Sequence, residues 1–547
     1  MTEPLVPSTY RCPVRREPAG PILPARLLLA LAGGGAIALA FPGTNWWYAA
    51  WLGCALLAAA GWCASWRTGL LSGLVGGLAY FIPTLSWSGV YVGKLPWFAL
   101  ATLEALYVAV MLAVIGPLQR RLVERGWEWA AYGMVPLGWV VGEWARSTTP
   151  FGGFPWVRLA FSQADSPLRT LAAFGGAPLV TAGVATIGVL LYAGARALRR
   201  RPGTAALGIA TTLGAAFVLG GIPVGRGGDS PKMAAIGLVQ GNVPEPGLEF
   251  NAERRAVLDN HVRETERLAS YMSRADLVVW PENASDIDPT RNADAAAVIN
   301  QARSAIKAPL LIGAILDEPA PFVSNASLLY RPGSMDPERY IKQHPVPFAE
   351  YVPAKDFFRH FNSNVDLVRE GMAKGTETGY FELTSDYSSP GQPYTFAALP
   401  TICFEVAYDG LVRTSVTHRP DVPSVLVVQT NNATFGYTAE SDQQFAISRL
   451  RAIEHNRSVV HVSTVGVSGF ISPNGTYVEK SSLFTAYAAS SNVELRSGLT
   501  IADRVGPTPE YAALAGLLIA WAATRWRRRD NDQQPLSTLK SKDLARA

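Results

Sequence analysis

Cys403 is where chemistry can start. It stands alone between residues 232 and 506, the other three cysteines being Cys12 near the start of the chain and Cys54 and Cys63 in an apolar stretch. In an oxidising compartment structural thiols pair; a solitary one is either buried filler or a nucleophile. Its neighbours favour the nucleophile. The run FAALPTI at 396–402 reads as a strand, and Cys403 follows it directly, ahead of Phe404, Glu405 and a new helix, which puts the sulfur at a sheet edge. Two more reactive stretches precede it. WPEN at 280–283 sets Glu282 at the end of the strand DLVVW, and YIKQHPVPFAEYVP at 340–353 carries Lys342 and Glu350. The six histidines, His261, His344, His360, His418, His455 and His461, form no short ligand pair such as HExxH, so neither a metal nor a cofactor is expected. Spacing alone leaves open a Cys–His pair built on Cys403.

The elements that must position these groups alternate. Apolar strands are expected at 233–240, 276–280, 309–316, 325–330, 396–403, 424–430, 458–464 and 467–471, with helices near 252–273, 293–306, 408–418 and 440–455. Strands separated by helices indicate an α/β domain whose sheet faces are covered by helices. His455 then falls at a helix end and His461 within a strand.

The rest of the chain reads differently. Of 547 residues 49% are hydrophobic and 17% charged, where an ordinary soluble domain has roughly a quarter charged. Lys+Arg 48 against Asp+Glu 43 leaves +5, too small a surplus for a nucleic-acid binder. A bilayer core takes about 20 apolar residues per helix, and eight such spans are expected: 24–42, 46–65, 69–89, 96–118, 128–145, 170–195, 203–223 and 508–526. Gly69, Gly73 and Gly77 give the third a small-residue face for close packing. Basic residues cluster in every second loop, as at Arg67, Arg120, Arg121 and Arg125, and Arg199 to Arg201, which puts both termini in the cytoplasm and 224–507 outside it. Arg146, Arg158 and Arg169, in the 146–169 connection, depart from that pattern. Glu104 and Glu143 lie inside expected spans, where a carboxylate is either functional or hydrogen-bonded into the bundle. A cleaved signal sequence ending at Ala38–Ala40 is the competing reading of the first span.

Glu282, Lys342 and Cys403, at successive strand ends in that order, resemble the Glu-Lys-Cys triad of the nitrilase, or carbon-nitrogen hydrolase, superfamily. Held between a bundle of spans and one last C-terminal span, the domain is similar over nearly the whole chain to the apolipoprotein N-acyltransferase family. The resemblance implies an α-β-β-α sandwich on an eight-span membrane domain: a cytoplasmic tail 1–23, a bundle 24–226, an extracytoplasmic catalytic domain 232–506, a last helix 508–526 and a tail 527–547. It also implies transfer of a fatty acyl chain from a phospholipid to the α-amino group of the diacylglyceryl-cysteine of an apolipoprotein, at a bacterial inner membrane, by an enzyme expected to be a monomer.

Carried over, Cys403 is the nucleophile, Glu282 the general base and Lys342 the cation beside the tetrahedral intermediate, with Glu350 and Glu405 matching further acidic positions. Segments 244–251, 347–360 and 431–438 are candidate walls or lids, with Phe250, Phe357, Phe358 and Phe435 apolar enough to enter lipid. This chain has Phe250 where the family often has a tryptophan, Phe404 for a frequent tyrosine, and Asn432 and Thr434 for an acidic residue and a tryptophan. A membrane-tethered amidase using the same triad, and a non-catalytic lipoprotein-binding or transport protein, are the competing functions.

Overall fold

The computed structural model describes residues 21–198, 201–224, 232–243, 253–353, 355–360, 371–387 and 391–531. Cys12, Phe250, the segment 244–251 and most of both tails lie outside the described residues, as do the side chains of Phe357 and Phe358.

Seven helices come first: α1 (Leu23–Leu39), α2 (Ala49–Gly61), α3 (Trp66–Thr84), α4 (Lys94–Glu124), α5 (Glu128–Thr148), α6 (Ala172–Leu198) and α7 (Pro202–Gly220). They stand where apolar spans were expected. Three are long and apolar enough to cross a membrane: α4, α6 with the turn that leads into it from Pro167, and α7. The bundle turns Leu28, Val110, Val114 and Leu207 outward, an apolar surface that water would penalise. Cys54 is in α2, but Cys63 lies just past its end, in a turn with φ of 50°.

The glycine stripe does what its spacing implies. A Cβ at Gly69 would stand 2.5 Å from the Leu112 carbonyl, one at Gly73 2.5 Å from Ala109 Cα and one at Gly77 2.7 Å from Ala105 Cα, so α3 lies backbone against backbone on α4. The buried carboxylates are both partnered. Arg146 donates to Glu104 at 2.8 Å; Glu143 accepts from the Leu159 amide at 2.7 Å and Thr181 at 2.6 Å, and lies 3.4 Å from Arg158. Arg146 and Arg158 are thus internal counter-ions, 2% and 3% exposed, and not loop charges.

The second half contains α8 (Arg254–Tyr271), α9 (Ala293–Ile306), α10 (Lys355–Arg359), α11 (Asp409–His418), α12 (Glu440–His455) and α13 (Ile501–Val505), and α14 (Thr508–Asn531) returns to the bundle against α5. Among the described residues twelve strands form two sheets. The first contains β1 (Lys232–Gln240), β2 (Leu277–Val279), β3 (Leu310–Leu316), β4 (Ser324–Tyr330) and β5 (Glu338–Ile341) in sequence, with β12 (Tyr487–Leu495) antiparallel to β1 at the other edge. The second runs from β6 (Phe381–Ser385) through β7 (Tyr394–Ile402), β8 (Ser424–Thr430), β9 (Val459–Ser463) and β10 (Gly469–Ile471) to β11 (Tyr477–Lys480). β1, β2 and β3 are mutually parallel, as are β7, β8 and β9.

Alternation fixes the layers. Ile236, Leu238, Val279 and Leu311 of the first sheet meet Phe396, Ile402, Val427 and Val460 of the second. On the outer face of the first sheet Val239, Val278 and Ile312 pack with Leu258, Leu268 and Ile299 of α8 and α9. Leu426 and Val428 of the second join Leu450 and Ile453 of α12 in one apolar cluster with the bundle. Parallel strands buried on both faces read as continuous apolar runs, which is why these strands were visible in the sequence.

Candidate active site

The parallel register sets the site, because β2 and β7 end on the same side and release their next residues there. After β2 the chain passes Trp280 and Pro281 to Glu282, close against β3: a Cβ at Gly313 would stand 2.2 Å from the Pro281 carbonyl, so glycine is required. Glu282 is 4% exposed. Its Oε1 accepts from Asn325 of β4 at 2.7 Å and from Lys342 Nζ at 3.1 Å, and its Oε2 from the Asn431 amide at 2.9 Å. Lys342 follows β5 directly; its ammonium, 1% exposed, also donates to Glu350 Oε1 at 2.6 Å. The other Glu350 oxygen accepts from the Val346 amide at 2.7 Å. One cation therefore bridges two carboxylates.

Cys403 leaves β7 with φ of 54°, a left-handed conformation uncommon for a residue with a side chain, and opens a single 3-10 turn, Cys403–Ala407. Such strain marks functional positions when the surroundings enforce it. Here Glu405 does. Its fully buried carboxylate accepts from the Ile402 amide at 2.8 Å, Tyr340 OH at 2.9 Å, and the Gln343 and His344 amides at 2.6 and 3.1 Å. The turn that presents the thiol is thereby tied to the loop that presents Lys342.

Glu405→Gln is expected to set an NH2 group against these donors. It should lower stability by about 1–3 kcal/mol and reduce kcat more than it raises KM. Thermal unfolding in detergent and steady-state kinetics check both; an unchanged kcat would show that the tie does not position the thiol.

The charges act on one another. Burial raises the Glu282 carboxyl above the usual carboxylate range, and Lys342 opposes that rise. Burial works against the Lys342 ammonium, but Glu282 and Glu350 outweigh it and hold its pKa well above the ordinary lysine value. Burial and then Glu282 push the Cys403 thiol up, with Lys342 pulling the other way. Burial, with Glu282, Glu440 and Glu350 set against one ammonium, leaves the resting sulfur a neutral thiol. It loses its proton during attack rather than before, which gives Glu282 its work.

Aromatic rings wall the site on the bundle side. Phe404 stacks on Trp156, ring centres 4.9 Å apart and planes at 12°, and on Phe154 at 5.2 Å, while Phe435 meets Trp87 edge-on at 4.9 Å. Asn432 donates to Glu440 at 2.6 Å and Gln444 at 3.0 Å. No Cys–His pair forms. His461 bonds Ser448, His455 bonds Asp503, His344 stacks on Tyr408, His261 bonds the Val257 carbonyl, and His360 that of Asp356, while His418 packs on Tyr380.

The structure thus brings Glu282, Lys342, Glu350, Cys403 and Glu405 together, with Phe404, Phe435 and Asn432 beside them. Sequence reasoning missed Asn325, Tyr340, Thr430 and Gln444. Asn325 did carry a signal: it is a polar residue in SNASLLY, a strand buried throughout.

Among known proteins, the family model for the apolipoprotein N-acyltransferase N-terminal domain matches residues 33–190, and that for carbon-nitrogen hydrolases residues 235–495. The apolipoprotein N-acyltransferase of Mycolicibacterium smegmatis is 38% identical over 91% of this chain and 85% of its own. That of Photobacterium profundum is 28% identical over 94% and 98%. A solved CN-hydrolase superfamily protein from Xanthomonas campestris aligns over 52% of this chain and 97% of its own, with 19% identity and a TM-score of 0.35.

Proposed function

From membership of the apolipoprotein N-acyltransferase family, to which this chain belongs, we infer that Cys403 takes an acyl chain from a phospholipid as a thioester and passes it to the α-amino group of a diacylglyceryl-cysteine. The chain is an acyltransferase that N-acylates lipoproteins, a bacterial membrane enzyme with lipid and lipoprotein substrates. The observation that carries the residue assignment is the Lys342 ammonium bridging Glu282 and Glu350 beside a thiol on a left-handed turn.

In the first half-reaction the S–H bond breaks and the proton goes to Glu282 while sulfur bonds the ester carbonyl carbon. Lys342, with backbone N–H groups of the turn after Cys403, faces the charge that develops on the carbonyl oxygen. Collapse expels the lysophospholipid alkoxide, which takes the proton from Glu282. In the second, the neutral amine attacks the thioester carbon, Glu282 takes the amine proton, the C–S bond breaks, and Glu282 passes that proton to the departing sulfur, which restores the neutral thiol. One site serves both steps, so the kinetics are ping-pong. Hydroxide competes for the thioester, and the Phe404, Trp156, Phe435 and Trp87 rings supply an apolar wall against it.

The architecture follows from the substrates, both anchored by acyl chains. We assign eight membrane spans, α1 to α7 and α14, with both tails cytoplasmic and the catalytic domain 232–506 outside. The internal roles of Arg146 and Arg158 support this, because they remove two of the three departures from the basic-loop pattern and leave Arg169 alone in that connection.

Incubating the purified protein with phospholipid labelled in its acyl chains should give a hydroxylamine-sensitive acyl group on Cys403. It should be discharged by a diacylated lipopeptide with one new amide-linked chain. Free fatty acid with no acyl-lipopeptide would favour the amidase reading.

A further inference from the structure

We propose that Gln444 is a further catalytic residue, whose side-chain amide donates to the Cys403 sulfur and stabilises the negative charge that sulfur carries as it attacks in the first half-reaction and leaves in the second. The inference rests on Cys403 being the nucleophile. Gln444 lies one turn into α12, is completely buried, and places Nε2 3.9 Å from Cys403 Sγ, within reach of a bond to sulfur.

Its orientation is forced. Gln444 Oε1 accepts from Thr430 Oγ1 at 2.8 Å and from Asn432 Nδ2 at 3.0 Å, so the amide oxygen faces away and the NH2 faces the sulfur. The Thr430 hydroxyl reaches both the sulfur, at 3.6 Å, and Gln444 Oε1, at 2.8 Å, and its one proton serves the shorter bond to Gln444. Asn432 is fixed in turn. Its Oδ1 accepts from Ser463 at 2.5 Å and Ser441 at 3.4 Å, and its remaining N–H goes to Glu440 at 2.6 Å. A Cβ at Gly466 would stand 2.2 Å from Asn432 Oδ1, so the chain also keeps that space clear. Each amide flip is thus set by its neighbour, ending on a donor aimed at the reacting atom.

The need for it is electrostatic. The carboxylates facing the thiol are Glu282 after β2, Glu350 in the Lys342 loop and Glu440 at the start of α12, and Lys342 is the opposing cation. Lys342 is already shared between Glu282 and Glu350 and must also meet the carbonyl oxygen. Sulfur departs as an anion when the amine displaces it, and a buried neutral donor stabilises that anion without adding charge. Gln444 acts on the sulfur, whereas the oxyanion donors act on oxygen.

The test measures iodoacetamide alkylation of Cys403 in the full-length protein across pH, by mass spectrometry of its peptide, beside acyl transfer to a lipopeptide. Gln444→Leu should move the alkylation midpoint up by about one pH unit, the size of one charge-assisted hydrogen bond, and slow transfer about tenfold with KM little changed. Gln444→Met, which keeps the length of the side chain without its donor, should move the midpoint the same way and serves if the first variant fails to fold. A purely structural role would lower folded yield and leave the midpoint of the folded fraction in place. Unmoved midpoints in both variants would overturn the proposal. The alkylation readout needs no lipid: a shifted midpoint in a protein that never forms an acyl-enzyme would sink the acyltransferase mechanism and leave the Gln444 contact standing.

Discussion

Replacing Cys403 with serine is expected to abolish acyl transfer, a loss on the order of 10^4-fold or more, and to remove the hydroxylamine-sensitive acyl group. The sulfur already loses its proton with difficulty, because burial and the Glu282 carboxylate both disfavour an anion there. A hydroxyl, far less acidic than a thiol, faces the same surroundings with a larger deficit, and Glu282 cannot close it. The fold should survive. Cys403 is half-buried, in no disulfide, and its turn is held by Glu405. The thermal midpoint of Cys403→Ser should match the parent within the effect of about 0.5 kcal/mol typical of mild substitutions. Cys54→Ser and Cys63→Ser should retain transfer: Cys54 lies between α2 and α6, where a Cβ at Gly188 would stand 2.4 Å from its own Cβ, and Cys63 is in a turn whose carbonyl holds Arg120. Mass spectrometry of a lipopeptide acceptor gives all three rates. Transfer by Cys403→Ser at a hundredth of the parent rate or faster would move the nucleophile elsewhere.

The unequal legibility of this chain has physical causes. β1, β3, β7 and β8 are buried on both faces and therefore read as apolar runs. β12 does not: YAASSNVEL alternates buried and open residues, and its partner β1 lies some 250 residues earlier, at the register Lys232↔Leu495. β5 and β11, with sequences ERYI and YVEK, sit at sheet edges, and charge is what an edge needs to avoid further pairing. The triad was legible because its members are reactive types at strand ends. Their supports were not. The donor to Glu282 Oε2 is the backbone amide of Asn431, which no side-chain pattern records, and Asn325 and Gln444 reach the site only through the packing of two sheets and α12. Glu104 and Glu143 read as candidates in an apolar segment, and only the fold shows that Arg146, in the last turn of α5, and Arg158, in the connection after it, are their counter-ions.

Lys342→Met, similar in length and without the charge, should lose turnover on the order of 10^3-fold or more while still folding. Two losses combine. One is the donor facing the tetrahedral oxygen, worth about 2.7–4 kcal/mol in comparable sites. The other is indirect: without the ammonium, Glu282 and Glu350 face each other across the space where Nζ bonds both, and the coulombic effect of Lys342 that opposes the rise of the Glu282 pKa is gone. Glu282 then holds its proton at neutral pH and cannot take one from the thiol. A base works only when ionised, so the residual rate of Lys342→Met should climb with pH to a later plateau than in the parent. Stability should move oppositely. A carboxyl whose folded pKa is raised favours the native state most below its unfolded pKa and loses that contribution as pH rises through the folded value, so the variant's thermal midpoint should be highest in acid and fall toward neutrality. Adding Glu350→Gln separates the two losses. With one carboxylate gone Glu282 ionises more readily, so the rate profile and the midpoint should both shift back toward the parent, while turnover stays low because the oxyanion still lacks its cation. Lys342→Arg should rescue little, since a planar fork cannot replace a compact ammonium wedged between two carboxylates. Turnover by Lys342→Met within tenfold of the parent, on an unshifted pH profile, would refute both parts of this assignment.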